Sequence, residues 1–334
     1  MGSLLVLPFY SVEPLYMVLL ILSMLMSGFY NALWKEPVTV LGGKRLILYR
    51  SYFVLIIVIP YVFFAGFDTF QIDPSYHSPS FWGMFLIFLC SYPGLYFLVK
   101  AVKSGPISIV IPTCSIAIIA PVLFNILFRP EGTFSEFYKT GLALILAGLL
   151  LLKFRFSNGR IIYMGDAGFR YSLLSILLLG TVFTWSYYIA DTVGPSAILL
   201  VQEGSVLVLA FLHIFFSRML GKMRAKNGEK TPYRWTPEQL RHHWKHYKWI
   251  IATIGIMSGL SVVFRMISYQ ASLPMATTIL GFSSLVSVVI AMNYYGENLK
   301  NQQKVAVAFL IAGIFIVSWI GDHQASPFEV FFQD

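Results

Sequence analysis

Long runs of apolar residues, separated by short polar segments, occupy most of the chain. A helix needs about 20 mostly apolar residues to cross the hydrocarbon core of a bilayer. Strands of a membrane barrel would instead alternate apolar and polar residues, so the solid runs favour helices. The pattern predicts ten membrane-spanning helices, near Leu15–Leu33, Leu46–Phe64, Phe81–Val99, Ile107–Phe128, Phe137–Leu152, Tyr171–Ala190, Ala197–Phe216, Trp249–Ile267, Met275–Tyr294 and Val305–Ile320.

One long polar segment, 218–248, separates the seventh and eighth predicted spans. Within it, Thr236-Pro237-Glu238-Gln239 has the order of a helix start, with Thr as N-cap and Pro at the first helical position. The following Leu240–Trp249 mixes Trp and Tyr with Lys and Arg, as helices at lipid headgroups do. We therefore predict a basic loop over 218–248 that contains a short interfacial helix.

Three histidines of this loop, His242, His243 and His246, are spaced so that a helix could bring them together. No cysteine or carboxylate completes a usual ligand set for a metal ion. A basic interfacial helix is therefore the favoured interpretation, and we expect neither a metal nor a cofactor.

The composition agrees with the hydropathy pattern and removes several classes of protein. Of the 334 residues, 57% are hydrophobic, 16% aromatic and only 12% charged, and the mean hydropathy is +0.72. A soluble domain carries roughly 25% charged residues, about twice as many. The two cysteines, Cys90 and Cys114, lie inside apolar runs and cannot form a disulfide framework. The figures exclude a single soluble domain, a disordered chain and a disulfide scaffold, and predict an all-α polytopic membrane protein.

The two halves of the chain share a pattern of small and charged residues. The fifth span begins Lys139-Thr-Gly-Leu-Ala-Leu-Ile-Leu-Ala-Gly148, and the tenth begins Lys304-Val-Ala-Val-Ala-Phe-Leu-Ile-Ala-Gly313. Lys, Ala, Ala and Gly occupy identical offsets, and Glu131 and Glu297 follow the fourth and ninth spans. Small residues four apart let helix backbones approach closely, which explains the alanines. With five spans in each half, the second copy must enter the membrane from the opposite side, and such inverted repeats are typical of secondary transporters.

Several of these residues together carry a family resemblance. The order Ala101…Pro106…Glu131…Gly141…Gly148 and its second copy resemble the two EamA domains of the drug/metabolite transporter superfamily. The segment Gly28-Phe-Tyr-Asn31-Ala-Leu-Trp-Lys35 is similar to that family's Gly…Asn…Lys turn, and Arg50 and Trp185 stand where members often carry those residue types. The resemblance covers most of Leu15–Ile320 and implies EamA-like repeats at 15–153 (helices 1–5) and 171–320 (helices 6–10).

The repeat and the resemblance together predict a function. Members of the family export amino acids and related metabolites, and relatives move nucleotide sugars or sugar phosphates across endomembranes. We expect a secondary-active transporter of small organic metabolites, amino-acid-like or amine compounds, that works by alternating access with the proton as a candidate coupling ion. A nucleotide-sugar or sugar-phosphate antiporter, a transporter of a lipid-linked substrate and a membrane protein without transport activity remain alternatives. No H-E-x-x-H, G-x-S-x-G or Walker motif is present, so an enzyme is not expected.

Lys and Arg are distributed unequally between the two sets of loops. Of 24 such residues, 20 follow the odd-numbered spans, Arg129 and Lys139 lie on the opposite side, and Arg50 and Arg265 lie within spans. By the positive-inside rule, the basic loops are cytoplasmic and both termini are non-cytoplasmic. The net charge of +9 then reflects a face near anionic lipids rather than nucleic-acid binding. We expect an integral multi-pass protein of a plasma membrane or a bacterial inner membrane, with its oligomeric state left open.

Ionisable residues inside predicted spans are functional candidates, because each costs about 2.5–3.5 kcal/mol at the membrane centre. Glu203 lies six residues into the seventh span, beside Gln202. A carboxyl group in a dry environment holds a proton more readily, which favours proton coupling or recognition of an amine. A static ion pair with Arg50 or Arg265 is the open alternative.

The remaining candidates define the predicted site. Arg50 lies five residues into the second span; it either extends to the interface or faces a cavity, where its planar guanidinium suits a carboxylate or a phosphate. Arg265 lies near the end of the eighth span and is predicted to anchor at the interface. An aromatic and amide lining for a small-molecule substrate, at the midplane between spans one, two, six and seven and their repeat partners, is predicted from Tyr30, Asn31, Trp185, Tyr187 and Tyr188.

Overall fold

Helices dominate the part of the chain that the computed structural model describes, residues 14–65, 78–121, 123–124, 136–157, 160–163, 167–226, 237–269 and 279–319. The described helices are α1 (Pro14–Leu33), α2 (Lys35–Leu41), α3 (Gly43–Ala65), α4 (Pro79–Ser104), α5 (Ile107–Cys114), α6 (Glu136–Lys153), α7 (Ala167–Tyr188), α8 (Ala190–Val193), α9 (Pro195–Lys226), α10 (Pro237–Tyr269), α11 (Ser283–Tyr294) and α12 (Asn301–Trp319).

Six helical segments are long and apolar enough to cross a membrane: Leu15–Leu33, Gly43–Phe64, Pro79–Ser104, Ala167–Tyr188, Pro195–Gly221 and Arg241–Ile267. Shorter apolar helices occupy Ile107–Ile119, Ile279–Tyr294 and Asn301–Val317. Large apolar side chains cover the outer faces of these helices, and that of Phe64 is 91% exposed. An exposed apolar surface of this extent is consistent with an integral membrane protein.

The region around the polar segment 218–248 differs from the sequence prediction. Helix α9 continues to Lys226, and α10 begins at Pro237 and runs to Tyr269 without interruption. Leu240–Trp249 therefore forms the first turns of the eighth span's own helix rather than a separate interfacial helix, because neither Gly nor Pro interrupts this stretch. The predicted N-cap, Thr236, lies outside the described residues.

The same connection joins the first two long helices in each half. Helix α1 is followed by the short α2, then Gly42 and α3, whereas α7 is followed by the short α8, then Gly194 and α9. Gly42 has a φ of 76° and Gly194 a φ of 87°. Residues with a Cβ avoid positive φ, so a glycine at both turns lets the chain reverse after a short helix.

Contacts between long helices join the first half to the second. Helix α4 of the first half packs on α7, the first long helix of the second half. Helix α1, the first long helix of the first half, packs in the same way on α10 of the second half. The contacts of α1 with α11 and of α5 with α7 correspond in the same way, as do those of α4 with α9 and of α3 with α10. Helices at equivalent positions also meet directly: α3 with α9, α5 with α11 and α6 with α12. Each of these contacts therefore recurs, or corresponds to itself, when the two halves are exchanged.

Helices α6 and α12 approach closely through glycines. A Cβ at Gly313 would lie 2.7 Å from the carbonyl oxygen of Gly141, and one at Gly148 would lie 2.8 Å from a backbone oxygen of α12. Three of the four alanines shared by the two spans, Ala143, Ala308 and Ala312, are exposed. The close approach that the sequence analysis explained by alanines is therefore made mainly by glycines.

The fourth predicted span is not a uniform α-helix. Helix α5 contains Pro112 and ends at Cys114, and a 3₁₀ segment, Ser115–Ile119, continues it. Proline removes a backbone donor and clashes with the preceding turn, which disfavours regular α-helix here. Such 3₁₀ stretches within a helix often accompany functional hinges.

A short hairpin joins the two halves. Strand β1 (Phe154–Ser157) pairs antiparallel with β2 (Arg160–Tyr163), with Phe154 opposite Tyr163. The sequence analysis did not predict it. The signal was present, because the two intervening residues, Asn158-Gly159, are the preferred pair for a tight hairpin.

Candidate functional site

A cavity of about 120 Å³ lies between the two halves of the chain. The first half contributes residues of α1, α3, α4, α5 and the 3₁₀ segment, and the second contributes residues of α7, α9, α10 and α11. Most of the wall is apolar or serine. Its larger polar side chains are those of Tyr30, Asn31, Trp34, Arg50, Gln202, Glu203 and Arg265.

A buried ion pair forms part of this wall. Arg50 of α3 is 4% exposed and Glu203 of α9 is 2% exposed. Arg50 Nη1 donates to Glu203 Oε2, and Nη2 donates to Glu203 Oε1 at 3.3 Å. Nη2 also donates to the hydroxyl of Ser258 on α10. A two-point arginine–carboxylate contact is among the strongest charge-assisted interactions in proteins, and this one connects the halves.

This geometry bears on the alternatives that the sequence left open for the two charged residues. Arg50 is buried and lines the cavity, as in the second of its two alternatives. Glu203 is paired with Arg50, one of the two partners that the sequence left open. The glutamate is therefore not an isolated carboxyl group.

Five of the eight residues predicted for the substrate site line the cavity: Tyr30, Asn31, Arg50, Gln202 and Glu203. They come from three helices of both halves, α1, α3 and α9. The cavity therefore brings together side chains that are up to 173 positions apart in the sequence.

The three other predicted residues, Trp185, Tyr187 and Tyr188, do not line the cavity. Trp185 packs against α4, where a Cβ at Gly83 would lie 2.8 Å from its ring. The ring of Tyr188 lies 5.6 Å from that of Phe124 and 5.3 Å from that of Tyr187. Helix α7 instead presents Leu179 and Phe183 to the cavity. With 3.6 residues per turn, Trp185 lies about 200° around the helix axis from Phe183 and is therefore on the opposite side of α7.

Arg265 is a cavity residue that the sequence analysis assigned to the membrane interface. Its guanidinium carbon lies 4.7 Å from the centre of the Phe183 ring, which also lines the cavity. Its position inside a predicted span was the available signal, because charged residues within spans are functional candidates. Trp34, directly after α1, was likewise missed and is 1% exposed.

A second polar cluster lies where the chain leaves α1. Glu297 accepts hydrogen bonds from Lys35 Nζ and, at 3.1 and 3.0 Å, from the backbone N–H groups of Ile107 and Ser108 at the start of α5. The hydroxyl of Ser108 donates to the same carboxylate at 2.7 Å. We call this group the Lys35–Glu297 cluster. It joins the start of α2, the start of α5 and the segment between α11 and α12.

The electrostatics of the Lys35–Glu297 cluster favour the charged carboxylate. Burial alone would raise the pKa of Glu297, but the hydrogen bonds from Lys35, Ser108 and Ile107 outweigh burial and hold the pKa below its ordinary value of 4.5. On one side, Lys35 adjoins Trp34 of the cavity wall. On the other, Lys35 and Glu297 line a surface pocket together with Lys103. The cluster thus lies at a surface pocket and directly follows, in the sequence, a residue of the cavity wall.

Comparison with known proteins supports the fold alone. No family model matches the chain, and no curated protein matches it. A solved structure described as "Crystal structure of protein" superposes with a TM-score of 0.53 over 90% of this chain and 98% of its own length, at 14% sequence identity. The arrangement of helices therefore occurs in a protein of known structure with little sequence in common.

Proposed function

We propose that the protein is a secondary-active transporter that carries a small organic metabolite by alternating access. In this proposal, ten spans form two inverted, EamA-like repeats, 15–153 and 171–320, and the cavity between them is the substrate site. The observation that carries the proposal is the cavity itself, which both halves line and in which Arg50 of one half pairs with Glu203 of the other.

The correspondence between the halves supports the repeat. Equivalent turns at Gly42 and Gly194, and helix contacts that recur when the halves are exchanged, are expected of a duplicated unit. A pseudo-two-fold arrangement of two five-helix units places a central site at their interface, as in other repeat transporters. The positive-inside prediction of non-cytoplasmic termini belongs to the same proposal.

The size of the cavity favours a small substrate. A buried water molecule needs about 10–15 Å³ of cavity volume. A cavity of about 120 Å³ therefore holds on the order of ten water-sized groups. A metabolite of amino-acid or hydroxy-acid size fits that volume without rearrangement, whereas a nucleotide sugar requires a larger opening.

The experiment that tests the proposal is counterflow exchange in proteoliposomes. Purified protein is reconstituted with an internal pool of amino acids, amines, sugar phosphates or hydroxy acids, and uptake of the labelled compound is followed. We expect one chemical class to exchange in wild-type vesicles and in the surface variant Glu238→Gln, because Glu238 is exposed on α10. Absence of exchange by every class, with protein that remains folded and inserted, would contradict the transporter proposal.

The Lys35–Glu297 cluster is the proposed closure of one side. We expect Glu297→Gln and Lys35→Met to raise the rate at which an impermeant thiol reagent, added from that side, reaches Cys114 in the cavity wall. A partly exposed ion pair contributes about 1 kcal/mol, which corresponds to about a fivefold increase. Lys103→Met is the matched control, because Lys103 lines the same surface pocket without contacting Glu297.

The same contact has a defined pH dependence. Because the pKa of Glu297 is lowered in the folded protein, the contact is fully present above the ordinary value of 4.5 and is lost as the pH falls through the lowered pKa. We therefore expect the cluster's contribution to closure to be constant between about pH 5 and pH 8. Thiol labelling is corrected for reagent reactivity at each pH and compared with Glu297→Gln. If Cys114 is labelled at the same rate in the wild type and in Glu297→Gln near neutral pH, this role of the cluster is refuted.

A further inference from the structure

Unpartnered polar atoms are concentrated at the central cavity. Among the described residues, five buried side-chain nitrogen or oxygen atoms lack a hydrogen-bond partner. Four of the five belong to cavity residues: Trp34 Nε1, Arg50 Nε, Gln202 Oε1 and Arg265 Nε. Buried polar groups are ordinarily paired, so a group of unpaired ones around a cavity indicates partners that a ligand or water supplies.

Donors exceed acceptors in this group. The nitrogens of Trp34, Arg50 and Arg265 carry N–H groups and can only donate, whereas the oxygen of Gln202 accepts. A ligand that satisfies all four atoms therefore presents at least three acceptor positions and one donor. Carboxylate and phosphate groups offer acceptor positions of this kind, and a neighbouring hydroxyl supplies the donor.

The charge of the cavity wall points in the same direction. The charge of Arg50 is balanced by Glu203 through two hydrogen bonds. Arg265 faces the ring of Phe183, and no described carboxylate forms an ion pair with it. The wall therefore carries one uncompensated positive charge in a setting where desolvation makes such a charge costly. A cationic amine would add to that cost, whereas an anion would remove it.

We propose that the cavity binds a small organic anion, and that Arg265 pairs with the carboxylate or phosphate group of this ligand. The N–H groups of Trp34 and Arg50 supply further donors to the same group, and Gln202 accepts a hydrogen bond from a hydroxyl of the ligand. This inference names the class of ligand that the cavity binds. It rests on the proposed transport function only for the further statement that the bound ligand is also the transported substrate. It replaces the class first expected from the sequence, amino-acid-like or amine compounds, with anions.

Binding is tested with four three-carbon probes that differ in one terminal group: glycerate, glycerol 3-phosphate, glycerol and 3-amino-1,2-propanediol. The experiment uses a Cys90→Ser protein, whose single remaining thiol, Cys114, lies in the cavity wall. The readout is the degree to which each probe protects Cys114 from alkylation. We expect one or both anions to protect Cys114, and the neutral and cationic probes to have no effect. The two anionic probes distinguish a carboxylate site from a phosphate site.

Arg265→Gln tests the assignment of the charge. We expect it to weaken anion protection by about ten- to a hundredfold, the effect of losing one charge-assisted hydrogen bond. Arg265→Lys retains the charge and should retain a substantial part of the protection, which separates loss of charge from loss of folding. Arg241→Gln is the matched control, because Arg241 is exposed on the same helix and the variant removes the same charge from the surface.

The outcomes separate this inference from the transport proposal. Protection by an anion without counterflow of any compound would support the anion site and contradict transport. Counterflow of an amine, unchanged in Arg265→Gln, would support transport and overturn the anion site. Protection by glycerol or the amine equal to that by the anions, or no protection by either anion, would also overturn it.

Discussion

We expect Glu203→Gln to lower the free energy of unfolding and to abolish counterflow. The substitution removes the charge that balances Arg50 and leaves the guanidinium buried at 4% exposure. Removing one partner of a buried ion pair costs about 3–5 kcal/mol, because the remaining charge keeps its desolvation cost. Counterflow is expected to be lost because the guanidinium of Arg50 is no longer held in the cavity wall by its two hydrogen bonds to the Glu203 carboxylate. Denaturant titration of the purified protein and exchange in proteoliposomes measure the two effects.

A double variant separates stability from function. Replacing both partners of a buried pair by neutral groups is often close to neutral for stability. Arg50→Gln combined with Glu203→Gln should therefore recover most of the stability that Glu203→Gln loses, while counterflow stays absent. The surface change Glu238→Gln should affect neither measurement. If Glu203→Gln is as stable as the wild type, the pair does not make the contribution that its geometry indicates.

The second large effect is expected for Gly255→Ala. A Cβ at Gly255 of α10 would lie 2.4 Å from Cβ of Phe53 and 2.8 Å from the backbone oxygen of Arg50 on α3. Because backbone atoms cannot move aside as a flexible side chain can, α3 and α10 must separate at the position of Arg50. Overpacking of this kind costs about 1–3 kcal/mol. It also displaces Arg50 relative to Glu203 and Ser258, so exchange should fall with stability.

Gly204→Ala is the matched control for Gly255→Ala. Gly204 lies directly beside Glu203 in α9, but a Cβ there meets no atom within 4 Å. Alanine is favoured over glycine in a helix by about 1 kcal/mol, so this variant should be as stable as the wild type or more stable. Equal effects of the two substitutions on thermal unfolding would show that close packing of α3 on α10 is not what Gly255 provides.

The hydropathy pattern predicted where helices lie but not how each is rotated. A helix in a membrane is apolar on both its protein-facing and its lipid-facing side, so the sequence of α7 has no amphipathic period to reveal its phase. For this reason Trp185 and Tyr188 were assigned to the site, although α7 presents Leu179 and Phe183 to the cavity. Polar residues within spans were better guides, and Arg50, Gln202 and Glu203 line the same cavity.

Two other features depend on the tertiary structure. Lys35 and Glu297 are separated by 262 positions, and nothing local to either residue predicts the other. Arg265 was assigned to the interface from its place near the end of a span, but packing of α10 against the other half brings it to the cavity. From the sequence, the close approach of the fifth and tenth predicted spans was assigned to their alanines, whereas in the structure Gly141, Gly148 and Gly313 make the contact between α6 and α12.

Access to Cys114 from each side of the membrane tests alternating access most directly. Both cysteines are buried, at 7% exposure, but Cys114 lies in the cavity wall and Cys90 does not. Cys90→Ser and Cys114→Ser proteins in vesicles are treated with a small anionic, membrane-impermeant thiol reagent, applied inside or outside. The account predicts that Cys114 reacts from both sides, that the transported compound protects it on both sides, and that Cys90 does not react. Reaction of Cys114 from one side alone, whether or not substrate is present, would contradict the account.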